Sequence, residues 1–172
     1  MQKNNSSEVL LDETTLKILD CLQKNAELSI AELSEIVGLS QSPCWRRVNE
    51  LKTSGIIQQS VAIADQEKLG LHVNVFVHVT LVRQTEECLM QFEAAIRNLP
   101  EIMECYLMSG EADYMLRVVV HDLREYQFML TNCLTKIPAV SSIRSSFALS
   151  RVKYTTALPL RVSVDVPPTK ST

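Results

Sequence analysis

Val37-Gly38-Leu39-Ser40-Gln41-Ser42-Pro43-Cys44-Trp45-Arg46-Arg47-Val48-Asn49-Glu50-Leu51 carries one amphipathic helix to its end and starts another. Gly38 permits the left-handed turn that stops the first, and Ser40 stands where a cap for the second belongs. Pro43 fits a first helical turn, where its missing N–H would have no helical partner. Cys44, Val48 and Leu51 then share one face, and Gly55 closes the element. Upstream, Leu28-Ser29-Ile30-Ala31-Glu32-Leu33 spells a capping box inside a hydrophobic staple, so the helix ending at Gly38 begins there. The earlier stretch from Leu11 to Asn25 has Asp12 at its cap and Leu16, Ile18, Leu19 and Leu22 near helical period. Two helices joined by Gly38-Leu39-Ser40 make a helix-turn-helix, with the first helix as the third wall of its core. Ile56 to Ala64 reads as a short strand or wing, and Asp65 to Gly70 as a linker.

The period then changes. From Val73 to Arg83 the odd positions Val73, Val75, Val77, Val79 and Leu81 are apolar, while the even ones include Asn74, His78 and Thr80, the pattern of a half-buried strand. Glu86 to Leu99 returns to helical spacing before Pro100. Ile102 to Met108 and Tyr114 to Val120 are strand-like and flank Ser109-Gly110-Glu111-Ala112-Asp113, a tight connection. Leu123 to Ile137 is helical, and Val140 to Lys153 forms a last strand. This order is the split βαβ, or ferredoxin-like, βαββαβ arrangement: an antiparallel sheet with both helices on one face. Alternating apolar residues on the uncovered face would be costly in water, so self-association is expected.

Composition narrows the function classes. The chain has 172 residues, enough for a buried core, and no run approaches the ~20 consecutive apolar positions of a membrane-spanning helix. The first residues are polar and show no apolar leader, so a cytoplasmic protein is expected. Five cysteines, Cys21, Cys44, Cys88, Cys105 and Cys133, lie singly and read as small buried apolar residues, not as a zinc or disulfide framework. His72, His78 and His121 are scattered, without a phosphate loop or a metal-ligand pair, which points away from an enzyme and from any cofactor. The net charge of -3 lacks the basic excess common in nucleic-acid binders. Residues 1–70 carry 7 basic and 10 acidic side chains, yet between Ser40 and Gly55 Arg46, Arg47 and Lys52 face only Glu50. A DNA-binding surface would have to be this local patch.

The helix after Ser40 has the chemistry for it. With Cys44, Val48 and Leu51 inward, the opposite face holds Ser42, Arg46 and Asn49, with Trp45 beside them and Arg47 nearer the flank. Arginine makes bidentate contacts to guanine and asparagine to adenine, while Ser40, Gln41 and Ser42 at the helix start suit phosphates. Trp45 is open between packing on a neighbouring helix and contact with the DNA backbone. The plain alternative is a solvated polar face.

Taken together, Leu28-Ser29-x-x-Glu32-Leu33-Ser34, Val37-Gly38-Leu39-Ser40, Pro43-Cys44-Trp45-x-Arg47-Val48, Leu51-x-x-x-Gly55-Ile56-Ile57 and Ser109-Gly110-x-x-Asp113-Tyr114 resemble the Lrp/AsnC family, the feast/famine amino-acid-responsive transcription regulators. The resemblance runs in register over roughly residues 10–158. It implies a winged helix-turn-helix joined to a ligand-sensing domain of the RAM or ACT type, in dimers that commonly assemble to octamers. It also implies an amino-acid effector around the Gly-x-x-Asp turn, here Ser109, Gly110, Glu111, Ala112, Asp113 and Tyr114, with Leu123, Thr135, Ser146 and Phe147 lining the pocket. At that turn Gly110 would let backbone N–H groups approach a carboxylate, and Asp113 could accept from an α-ammonium. Ala112 stands where relatives often carry an aromatic residue, which removes bulk from the turn.

The expected organisation is α+β: a flexible N-terminus at 1–10, a DNA-binding domain at 11–64, a linker at 65–70, an amino-acid-sensing and oligomerisation domain at 71–158, and a mobile tail at 159–172. The expected function is sequence-specific binding of double-stranded DNA by a homodimer, regulated by an amino acid, without membrane association. The alternative is an amino-acid-binding module that acts on a protein partner.

Overall fold

The structure, a computed structural model, describes residues 11–160 and divides into two compact units. The expectations of a flexible N-terminus and of a mobile tail beyond residue 160 lie outside the described residues.

The helical unit contains α1 (Glu13–Lys24), α2 (Ile30–Val37) and α3 (Gln41–Thr53). Asp12 caps α1 by accepting the Thr15 N–H at 2.8 Å. Ser29 and Glu32 close the capping box of α2, the Ser29 N–H donating to Glu32 Oε2 at 2.8 Å and the Glu32 N–H to Ser29 Oγ at 3.2 Å. Gly38, at φ 70, ends α2 in the left-handed conformation, and the Leu39 N–H donates to the Ser34 carbonyl. Ser40 occupies the cap position of α3, but its side chain makes no capping bond. The inward faces bury Ile18, Leu33, Cys44, Val48 and Leu51. Truncating one of these larger aliphatic side chains costs roughly 2–5 kcal/mol in a close-packed core.

In or beside this unit the structure adds detail at three segments. Ile56 to Ala64 is not a strand: after the Ile57 N–H bonds the Leu51 carbonyl, residues 58–64 have no strand partner, and an extended segment without a ladder is left as coil. Asp65 to Gly70, expected as a linker, forms a turn, with the Leu69 N–H on Asp65 O and the Gly70 N–H on Glu67 O. Of the expected sensing domain, which runs to 158, the stretch from 153 groups with the helical unit, as do residues 159 and 160. A pair of hydrogen bonds between Gln23 and the backbone of Leu158 contributes to this grouping.

The second unit, residues 63–152, is a four-stranded antiparallel sheet in the order β2-β3-β1-β4, formed by β1 (Val73–Leu81), β2 (Ile102–Leu107), β3 (Tyr114–Val120) and β4 (Val140–Phe147). Helices α4 (Glu86–Ile96) and α5 (Leu123–Asn132) contribute Phe92, Ile96, Tyr126 and Met129 to its core, alongside Val75, Val77, Val79, Leu116 and Val118. Period two therefore decides which side chains the helices cover. The expected helix to Ile137 breaks at Cys133 into a short 3-10 turn, Leu134–Lys136, and the last strand stops at Phe147 rather than Lys153.

The other face of the sheet also differs from expectation. Its residues on β1 are Asn74, Phe76, His78 and Thr80, so the apolar alternation belongs to the helix side and the uncovered face is largely polar. Arg117 spans it, donating to Glu104 Oε1 at 2.9 Å and to Asn74 Oδ1 at 3.2 Å, while Tyr106 donates to Glu104 Oε2 at 2.8 Å.

Candidate functional site

On α3 the core residues Cys44, Val48 and Leu51 fix the rotation of the helix, and the outward face follows from it. Ser42, Trp45, Arg46 and Asn49 are all exposed there, at the i, i+3, i+4, i+7 spacing of one helical stripe. Trp45 is 58% exposed, which separates it from the core. Ser40 and Gln41 are exposed at the helix start. Among the described residues Arg46 is held only by Glu50, at 3.8 Å and with both side chains more than half exposed, a contact worth a few tenths of a kcal/mol. Its guanidinium is available to a base edge or a phosphate.

Arg47 is placed differently. Its guanidinium turns back to α1, with Nη1 2.7 Å from Asp12 Oδ1 and in contact with Thr15 Oγ1. Only 24% of the side chain is exposed. The cap of α1 and the flank of α3 thus share one ion pair, and Arg47 orients the reading helix rather than facing outward with Arg46. The backbone N–H and hydroxyl of Thr15, and then Arg47, hold the Asp12 carboxyl below its ordinary value.

In the second unit, Asp113 ties the β2–β3 turn to the end of β1. Its carboxylate is buried, accepting the Leu81 N–H at 2.7 Å and the side-chain amide of Gln84. Its backbone N–H donates to Val79 O, and its carbonyl accepts from the Met108 N–H, both at 2.9 Å. The carboxylate expected to accept from an α-ammonium thus already accepts two hydrogen bonds inside the protein, where it sets the turn. Tyr114 is likewise core. It is 1% exposed, stacks on Phe92 at 4.6 Å and donates to Glu93 Oε1 at 2.8 Å, with burial and then Glu93 pushing its phenol up.

Ser109, Gly110 and Glu111 are exposed on the turn so anchored, and Gly110 has φ 151, where a β-carbon is strained. Glu111 and Ala112 join His78, Thr80, Ser142 and Arg144 around a depression of about 330 Å³ on the uncovered sheet face. Thr80 pairs with Ser142 and His78 with Arg144 across β1 and β4, so strand register assembles the group. Arg144 reaches only Glu111, at 3.8 Å, and His78 Nδ1 is buried without a hydrogen-bond partner among the described residues. A guanidinium, an imidazole nitrogen and two hydroxyls can receive a carboxylate, and Glu111 can receive an ammonium. Ala112 leaves the space open.

The remaining expected pocket residues do not converge on this depression. Ser146 and Phe147 are consecutive on β4 and therefore point to opposite faces; Phe147 packs edge-on against Tyr126 at 5.4 Å. Leu123 is exposed at the start of α5, and Thr135 bonds its hydroxyl to the Thr131 carbonyl. For His78, Thr80, Ser142 and Arg144 the sequence carries one signal, the shared parity of 78 with 80 and of 142 with 144.

Among the cysteines, Cys44 is buried and Cys21, Cys88 and Cys133 are half-buried, but Cys105 lies exposed on the edge strand β2, against the expectation of a buried residue. Edge position explains it. Partial burial of its thiol, and then Glu93, push the group up to about 11, which keeps it protonated and weakly nucleophilic at neutral pH. Among the described residues no three His, Cys, Asp or Glu side chains are placed to hold a metal ion. No helix among them is long and apolar enough to cross a membrane.

Two family models match the chain: a winged helix-turn-helix DNA-binding domain over residues 11–58 and an Lrp/AsnC ligand binding domain over residues 74–158. The Bkd operon transcriptional regulator of Pseudomonas aeruginosa is 47% identical over 150 residues, covering 87% of this chain and 98% of that protein. The leucine-responsive regulatory protein of Haemophilus influenzae is 40% identical, covering 88% and 91%. A transcriptional regulator from Neisseria meningitidis, solved as a complex with L-Met, superposes with a TM-score of 0.84 at 37% identity, covering 88% of this chain and 97% of that one. With a reading helix on one unit, a turn-anchored sheet on the other and these matches along nearly the whole described chain, the protein belongs to the Lrp/AsnC family of DNA-binding transcriptional regulators.

Proposed function

We propose that this regulator binds a pseudo-palindromic DNA site as a homodimer and that an α-amino acid, bound at the Glu111–Ala112 turn, sets its affinity or spacing on DNA. The observation that carries the reading is the exposed stripe Ser42, Trp45, Arg46 and Asn49 on α3, backed by a core that leaves it no other orientation. Ser40 and Gln41 extend that stripe to phosphates at the helix start. Two-fold protein symmetry calls for two half-sites. The effector site comprises Glu111 and Ala112 with His78, Thr80, Ser142 and Arg144, and its mixed charge suits a zwitterion. Asp113 and Gln84 hold the turn, outside the ligand's reach. The L-Met complex of the meningococcal neighbour supports an amino acid as the class of ligand.

In this reading residues 11–62 are the DNA-binding domain and the sensing domain runs from 63 to 158, its last residues from 153 packing with the first unit. Dimers assemble further, to octamers, and the work is done on DNA in the cytoplasm, by binding equilibria and without catalytic turnover. A thermal-shift screen of the twenty amino acids, followed by a mobility-shift titration at rising salt, tests it. The expected result is a melting-temperature rise for at least one amino acid and duplex binding that weakens steeply with salt. Duplex binding that fails even at low salt, with a pull-down of a protein partner instead, would replace it with the protein-directed alternative.

A further inference from the structure

Residues 153–160 continue from β4 yet pack with the helical unit, and Gln23 is one side chain that grips them there. Gln23, in the last turn of α1, donates from Nε2 to the Leu158 carbonyl at 3.2 Å, and the Leu158 N–H donates to Gln23 Oε1 at 2.7 Å. Both ends of the side-chain amide are thus matched to one residue's backbone, as a neighbouring strand would match it. The Ala157 N–H donates to Thr155 Oγ1 at 3.1 Å and bends the chain just before the grip.

At the opposite end of the same helix, Asp12 and Thr15 receive Arg47 of α3. One rod of 12 residues, roughly 18 Å long, therefore holds the reading helix at its start and the continuation of the sensing sheet at its end. Only residues 148–152 separate that continuation from β4, which carries Ser142 and Arg144 of the effector depression.

We infer that Gln23 is a positioning residue that couples the two functions: amino-acid binding that shifts β4 alters the grip on Leu158, and α1 passes the change through Arg47 to α3. The inference rests on the effector reading above and adds the route by which the signal reaches DNA. Two sites are coupled only as far as an element between them is biased by both, and α1 is such an element.

The test uses the full chain and Gln23→Ala. Duplex affinity is measured by fluorescence anisotropy without ligand, with L-methionine and then with each of the other nineteen amino acids, alongside ligand-induced melting shifts. In the native protein the responsive amino acid changes duplex affinity by about 5- to 150-fold, the usual span of allosteric coupling. Gln23→Ala is expected to keep its ligand-free duplex affinity and its ligand-induced melting shift, while the affinity change collapses to within about twofold of unity. Hydrogen exchange at the Leu158 amide, measured on the native protein, should change with ligand.

A Gln23→Ala protein that responds as the native one does overturns the inference and leaves the effector reading standing. Loss of ligand-free duplex binding in Gln23→Ala also overturns it, making the glutamine a support for the fold alone. A native protein in which no amino acid moves either the melting temperature or the duplex affinity overturns the effector reading and, with it, the coupling.

Discussion

Arg46 and Arg47 are neighbours in sequence and opposites in structure, so replacing each by alanine should separate DNA affinity from stability. Arg47 donates to Asp12 and Thr15 with 24% of its side chain exposed. Hydrogen bonds from a charged group contribute about 1.5–3 kcal/mol each when buried, and partial exposure on both partners reduces the pair to roughly 1–3 kcal/mol in total. For a small domain that is a melting-temperature loss on the order of 10 °C. Among the described residues Arg46 makes only the exposed 3.8 Å contact to Glu50, so Arg46→Ala should change stability by no more than about 0.5 kcal/mol. On a cognate duplex, however, losing a bidentate base contact costs about 1–3 kcal/mol, or about 5- to 150-fold in affinity. Thermal melts and anisotropy titrations on cognate and scrambled duplexes measure both quantities. Cognate-selective loss assigns Arg46 to a base. Equal loss on both duplexes, with the salt slope reduced by about 1, assigns it to a phosphate. Equal affinity losses for both variants with unchanged melts would refute the division, because Arg47 would then reach DNA and its grip on α1 would carry no weight.

Asp113→Ala removes the acceptor for the Leu81 N–H and the Gln84 amide, leaving a buried donor unpaired, and should destabilise the sheet unit by about 2–4 kcal/mol in urea titrations. Its duplex affinity at low temperature should stay near native; a stable Asp113→Ala protein that has lost amino-acid binding would instead put the carboxylate on the ligand. Acid should weaken the helical unit in a defined sense. The folded Asp12 carboxyl lies below its ordinary 3.8, so the unfolded chain binds the proton first; the stabilisation is complete above that value and is lost as pH falls through the lowered one. Melts at about pH 6 and about pH 3 should therefore differ more for the native protein than for Asp12→Asn, and equal differences would remove the cap–arginine pair as the cause.

The parts of this protein legible in its sequence are those whose physics is local. The Asp12 cap, the Ser29–Glu32 box and the Gly38 stop each involve partners within five residues, and each forms as expected. The alternation of β1 is equally local, and it identified Val75, Val77, Val79 and Leu81 as buried. What that pattern could not say is which face the helices cover; the structure gives them the valine side, and the uncovered face mixes polar residues with Phe76. Arg47 and Asp113, whose side chains turn into the protein, depend on partners far along the chain. Arg47 meets Asp12 across 35 positions, and Asp113 meets Leu81 across 32. A basic residue on a helix flank and an acid in a turn are ordinary surface features until tertiary structure supplies those partners. Ser146 and Phe147 are a different case, since adjacent strand residues face opposite ways and that parity alone separates them within one chain. His78 and Arg144 meet only because β1 pairs with β4 in one register, and a shift by one residue would part them. The reading helix could therefore be placed from capping and periodicity, whereas the effector depression had to wait for the strand register that creates it.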